Sequence, residues 1–134
     1  MSLNPAQRAA VEHCDTPLLV LAGAGSGKTR VITQKIHHLI VRRGMVPGKI
    51  AAITFTNKAA REMRERAGAL LRGVDSEGLT VCTFHSLGLK FLQIEHEAAG
   101  LRRGFSIFDA DDGGALIKDL MPRGANAQAL AAMR

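Results

Sequence analysis

The densest set of phosphate-binding groups in this chain lies in LVLAGAGSGKTRVIT, residues 19–33. Gly23, Gly25 and Gly27 alternate with Ala24 and Ser26, and Lys28 and Thr29 follow at once. Closely spaced glycines let a backbone turn tightly and aim successive N–H groups at phosphate oxygens, at the positive end of a following helix. Lys28 would place a point charge on the β- and γ-phosphates, and Thr29 would offer a hydroxyl to Mg²⁺. The strict pattern G-x-x-x-x-G-K-[ST] has glycine where Ala22 stands. That position ends an expected strand, and alanine is small enough for it. Upstream, the amide of Gln7 presents a donor and an acceptor together, which matches the N6/N7 edge of adenine and mismatches guanine. A glutamine in a first helix can equally be a surface residue.

These groups need elements to position them. Three short apolar runs read as strands buried on both faces: residues 18–22 (LLVLA), 50–55 (IAAITF) and 79–83 (LTVCT). Each leads into a helical pattern. Ile32, Ile36, Leu39 and Arg43 share a face before Gly44; Ala60, Met63, Ala67 and Leu70 do so before Gly73; Leu87, Phe91, Ile94 and Ala98 do so before Gly100. A helix over roughly residues 5–14 is expected first, with Asn4 as its cap and Pro5 at its first position. In the tail, Asp109 offers a cap with Asp112 three residues on, although Gly113 and Gly114 cost such a helix about 2 kcal/mol. Residues 124–134 have helical composition and no closing cap. Strand alternating with helix implies right-handed crossovers and an α/β fold with a parallel sheet flanked by helices. Ligands then bind at the carboxyl ends of the strands. The loop at 22–29, TFTNKAA at 54–60 and TFHS at 83–86 are expected along one edge of that sheet.

Composition narrows the class. A length of 134 residues is one domain's worth of chain, and 46% hydrophobic residues with four prolines argue against disorder. The apolar run at 18–22 is far too short to span a membrane, and the polar start does not resemble a signal peptide. Cys14 and Cys82 have no metal-like or redox spacing, so two ordinary thiols and a cytoplasmic location are expected. The net charge of +6 is uneven: residues 28–72 carry +9, residues 1–27 carry −1 and residues 73–134 carry −2. A basic middle third is either a solvated face or a surface for phosphates or nucleic acid.

LNPAQRAAV (3–11), LAGAGSGKTRVIT (21–33), AAITFTNKAAREMRERA (51–67) and TFHSLGLKFL (83–92), in this order and spacing, resemble the opening of the superfamily 1A DNA helicases, the UvrD/Rep/PcrA group, and the Rep type most of all. The match is close from Leu3 to about Leu92 and thinner through FSIFDADD at 105–112. The resemblance implies a P-loop NTPase (RecA-like) fold using ATP and Mg²⁺. On it, Gln7 reads adenine, Ala22, Gly23, Ala24, Gly25, Ser26, Gly27, Lys28 and Thr29 form the phosphate loop, and Arg30 lies beside the nucleotide. Phe55, Thr56, Asn57 and Lys58 become a first contact to single-stranded DNA, and Thr83, Phe84 and His85 a second. A phenylalanine at a strand's exposed end can stack a base of any identity, though both rings could instead be core aromatics. Asn57 could cap the helix it begins and offer donors to a phosphate, with Lys58, Arg61 and Arg64 adding positive field. No second ligand stands at metal spacing from His85.

Hydrolysis needs a carboxylate on Mg²⁺, a group to orient water and a cation on the γ-phosphate, and no later strand in these 134 residues ends in an Asp-Glu pair. The sequence therefore reads as an amino-terminal piece of a helicase: residues 1–92 the first part of the ATP-binding motor domain, and 93–134 the start of a helical accessory subdomain. Its sheet should be incomplete, with an uncovered flank prone to self-association, and the chain alone should neither hydrolyse ATP nor unwind DNA. The expected partners are single-stranded DNA and duplex junctions. A P-loop phosphotransferase would explain the loop and leave Gln7, TFTNKAA and TFHS unexplained. A non-enzymatic nucleic-acid-binding module would explain the basic edge and leave the loop unexplained.

Overall fold

A computed structural model describes residues 2–121. The helical reading of 124–134 falls outside them. The first helix, α1 (Pro5–Glu12), starts as expected: Asn4 caps it, Pro5 opens it, and its last turn stops two residues short of the expected end. Next comes α2 (Lys28–His37), which continues into a π-helical turn over His38–Arg42 closed by a bond from the Arg43 N–H to the His38 carbonyl. A 3₁₀ turn at Pro47–Lys49 leads into β1 (Ala51–Thr54), then α3 (Asn57–Leu70), β2 (Thr80–Thr83) and α4 (Phe84–Ile94).

β1 and β2 pair in parallel, with Ala51 opposite Thr80 and Thr54 opposite Thr83. The crossover between them is α3, as strand–helix–strand alternation requires. The core lies on one face of this sheet. Ile36 and Ile40, Ile50 and Ala52, Met63, Ala67 and Leu71, and Val81 form one buried cluster, with Leu39, Val74 and Leu79 packed against it. Burial on both faces was expected, but Ala51 is exposed and Ile53 and Cys82 are half-buried. The helices α2 and α3 cover one side only.

The expected strand over residues 18–22 is not in the sheet, which has two strands among the described residues. Leu19 is 82% and Leu21 is 88% exposed. An apolar run becomes a strand only when neighbours pair with its N–H and C=O groups, and here none does. Apolar composition marked these residues as strand-forming but could not supply a partner.

The edge of β2 away from β1 is fastened differently. Since the Thr80 N–H bonds to the Ile50 carbonyl, the alternation of a strand turns Val81's carbonyl to the far side. There it accepts from Nη2 of Arg64 on α3, at 2.9 Å. Arg64, expected to add positive field over a nucleic-acid path, keeps its charge in this bond and also ties helix to strand.

The described residues divide into two compact units, the division falling between Lys90 and Phe91 inside α4. In the second unit, α4 ends at Ile94 rather than at Ala98, and turns follow, with the Leu101 N–H bonded to the His96 carbonyl at 2.7 Å. The helix α5 (Ala110–Leu120) begins with the expected Asp109 cap. Asp112 completes a reciprocal capping box, and Gly113 and Gly114 are helical despite their propensity.

Candidate functional site

The phosphate loop runs from the extended segment into α2. Gly25 and Gly27 have φ of 74° and 79°, which an L side chain rarely adopts. A β-carbon on Gly25 would meet nothing within 4 Å, so the loop's hollow is open at that point. The hydroxyl of Ser26 donates to the Gly23 carbonyl, closing the turn. Gly27 is the N-cap of α2, and no side chain caps the helix there. The first-turn N–H groups therefore face outward as donors, with Lys28 exposed beside them and Thr29 and Arg30 half-buried. Uncapped N–H groups, a cation and a hydroxyl at one helix start are the donor set that a triphosphate with its magnesium requires.

Gln7 is brought to this loop. Its Oε1 accepts from the Asn4 N–H at 3.0 Å, and Asn4 Oδ1 accepts in return from the Gln7 N–H at 2.8 Å. The two residues form a capping box, a spacing visible as N-x-x-Q in the sequence but first recognisable as such here. Gln7 Nε2 then donates to the Ser26 carbonyl at 3.0 Å. A β-carbon on Gly27 would come within 3.1 Å of that nitrogen, so the Gln7 amide would have to give way by a few tenths of an ångström. A groove of about 760 Å³ runs along α1, the 18–23 segment and the start of α2, and Gln7, Ser26, Lys28 and Lys35 all line it.

The second cluster sits where β1 and β2 end. Phe55 and Phe84 each follow the last paired residue of their strand, so the parallel register sets them side by side. Phe55 is 85% and Phe84 is 54% exposed, which removes the core-aromatic reading for both. Thr56, Asn57, Lys58 and His85 are exposed next to them. Two roles differ from expectation. Thr56, not Asn57, caps α3, its hydroxyl accepting from the Ala59 N–H at 3.1 Å. Asn57 is the first residue of that helix, so its amide is left for other partners. Thr83 is buried, and its hydroxyl accepts from the Ser86 N–H while donating to the Ser86 hydroxyl. Both bonds tie Thr83 to the first turn of α4, the turn that carries Phe84 and His85. Of the three motif-bearing strand ends expected on one sheet edge, two are there, and the phosphate loop leaves from a segment outside the ladder.

Among the described residues no group of three His, Cys, Asp or Glu side chains could hold a metal ion, and no helix is long and apolar enough to cross a membrane.

Comparison with known proteins agrees with this arrangement. The family described as the UvrD/REP helicase N-terminal domain matches residues 3–133. The chain is 56% identical over 120 residues to the ATP-dependent DNA helicase Rep of Escherichia coli (strain K12), covering 90% of this chain and 18% of that protein. It is 46% identical over 119 residues to the ATP-dependent DNA helicase PcrA of Bacillus subtilis (strain 168), covering 89% and 16%. With the ATP-dependent DNA helicase UvrD1 of Mycobacterium tuberculosis (strain ATCC 25618 / H37Rv) the identity is 51% over 119 residues, covering 87% and 15%. The chain thus spans less than a fifth of the length of these relatives. On the family match and these identities together, the chain belongs to the UvrD/REP helicase N-terminal domain family.

Proposed function

We propose that these residues are the ATP-binding part of a DNA helicase that moves along single-stranded DNA and opens duplex junctions in replication or repair, built on a P-loop, RecA-like sheet and working in the cytoplasm. The observation that carries this reading is the exposed Phe55–Phe84 pair at the ends of two parallel strands. A phosphotransferase acting on a small molecule has no use for two solvent-exposed rings beside a helix that starts Asn57-Lys58. Bases stack on such rings without regard to sequence, as a motor that travels along a strand requires.

In the nucleotide half, the N–H groups at the start of α2 and the Lys28 ammonium would hold the β- and γ-phosphates. Gln7 has an N–H and an Oε1 lone pair left beyond its bonds to Ser26 and Asn4, enough to meet an adenine edge. The Thr29 hydroxyl would give one oxygen to Mg²⁺, whose role is to neutralise charge between the phosphates. In the DNA half, Phe55 and Phe84 would stack bases, Asn57, Lys58 and His85 would contact backbone, and Thr56 and Thr83 would hold their helices in place.

The test separates the halves in the purified chain. Lys28→Ala should abolish ATP binding and leave oligo(dT) binding intact, and Phe55→Ala should weaken oligo(dT) binding and leave ATP binding intact. Phe55→Ala without effect on oligo(dT) would favour the phosphotransferase. Lys28→Ala without effect on ATP would favour a nucleic-acid-binding module.

A further inference from the structure

The adenine-reading and phosphate-binding groups of the proposed site stand on different helices. Gln7 is on α1, and Lys28 and Thr29 are on α2. The chain between them, residues 13–27, is irregular and mostly exposed, so it does not fix their separation. That separation depends on how α1 is held against α2.

Two polar attachments hold it. At the start of α1 the Gln7 amide meets the Ser26 carbonyl. At its far end, Lys35 of α2 reaches across with Nζ donating to the Ala10 carbonyl at 2.8 Å and to the His13 carbonyl. Ala10 lies in the last turn of α1, where carbonyls have no partner inside the helix. That turn carries no basic residue of its own, so Lys35 also supplies the cation that its negative end favours. With both ends fastened, α1 cannot swing about either; with Lys35 removed, the Gln7–Ser26 contact, apolar packing and the exposed Asp15–Arg43 ion pair three residues beyond α1 remain.

We infer that Lys35 is a positioning residue for base recognition: by clamping the end of α1 it sets the distance between Gln7 and the phosphate loop, and so sets the preference for ATP over GTP. The inference rests on the nucleotide site proposed above. Lys35 itself touches no part of the nucleotide in this role. Its loss should therefore weaken base discrimination more than phosphate binding, to which Lys35 adds only its charge in the shared groove.

The experiment measures fluorescent ATP and GTP analogues and inorganic tripolyphosphate against the purified chain. Lys35→Met should lower ATP affinity about tenfold, the scale of a charged hydrogen-bond pair, and lower the ATP-to-GTP ratio equally. Tripolyphosphate affinity should fall clearly less than ATP affinity, the residual loss being the charge Lys35 adds to the groove, and Lys35→Arg, which keeps the charge and donors enough for both carbonyls, should restore the ratio. An unchanged ratio in Lys35→Met overturns the inference, and so does an equal loss of ATP and tripolyphosphate, which would mark a merely structural lysine. Should Lys35→Met fail to fold, Lys35→Gln takes its place: a shorter, uncharged amide should leave a reduced ratio, and a wild-type ratio overturns the inference. A wild-type chain that binds tripolyphosphate but does not distinguish ATP from GTP also overturns it. Failure of wild type to bind tripolyphosphate at all, or indifference of that binding to Lys28→Ala, would instead remove the nucleotide site beneath it.

Discussion

The rings of Phe55 and Phe84 stand with centroids 5.5 Å apart and planes inclined by 40°. They touch because their strands are parallel and in register, so the pair is a product of the sheet. Neighbouring side chains that act as one platform are not independent. Phe55→Ala and Phe84→Ala should each weaken oligo(dT) binding by about 1–3 kcal/mol, and the double variant by less than their sum. Anisotropy titrations at fixed salt would measure all three. Strictly additive losses would mean two separate contacts.

Gly27 combines a left-handed backbone with the approach of the Gln7 amide. Gly27→Ala should therefore destabilise the chain by about 1–2 kcal/mol, the cost of an L residue in that region. It should also weaken ATP binding by pushing Gln7 away. Thermal melts and nucleotide titration of the same variant read the two effects, and a variant as stable as wild type would show that the loop relaxes freely.

The caps of α3 separate stability from contact. Thr56→Ala should cost about 1 kcal/mol because the Ala59 N–H loses its acceptor. Asn57→Ala should leave the melting temperature unchanged and weaken DNA binding instead. Denaturant titration beside the oligo(dT) assay tests both, and the opposite pattern would return the capping role to Asn57.

Leu19 and Leu21 put two large apolar side chains in solvent on a segment whose backbone has no ladder partner. Surfaces of this kind promote association. Replacing both by Lys should lower the sedimentation coefficient at high concentration while leaving the melting temperature unchanged. Concentration-independent sedimentation of the wild-type chain would rule out that surface as sticky.

Much of this arrangement was legible in the residues. Local signals carried it: Asn4 and Pro5 for α1, Asp109 and Asp112 for α5, glycines before Lys28 for the loop, and β-rich runs for β1 and β2. Where the reading failed, the deciding partner lay elsewhere in the chain. The 18–22 run has strand composition, and pairing is not encoded in composition. Thr56 and Asn57 are both good caps, and only the backbone geometry at Thr56 chooses between them. Arg64 and Lys35 look like ordinary surface cations, since nothing local announces that Val81, Ala10 and His13 will present carbonyls to them. The aromatic pair lay between these cases, its residues visible and its contact set by register.

The helix that carries Gln7 has eight residues, well short of the about 12–15 at which isolated helices become even marginal in water. It owes its order to α2, through the Lys35 clamp, the Ser26 contact and the burial of Ala10 and Val11. Folding of the two halves of the nucleotide site should therefore be hierarchical, α2 forming against α3 and the sheet and α1 only once α2 is there to receive it, an order that native-state hydrogen exchange would read. Damage to the packing of α2 should then be felt first as lost discrimination between bases, before the phosphate loop itself gives way.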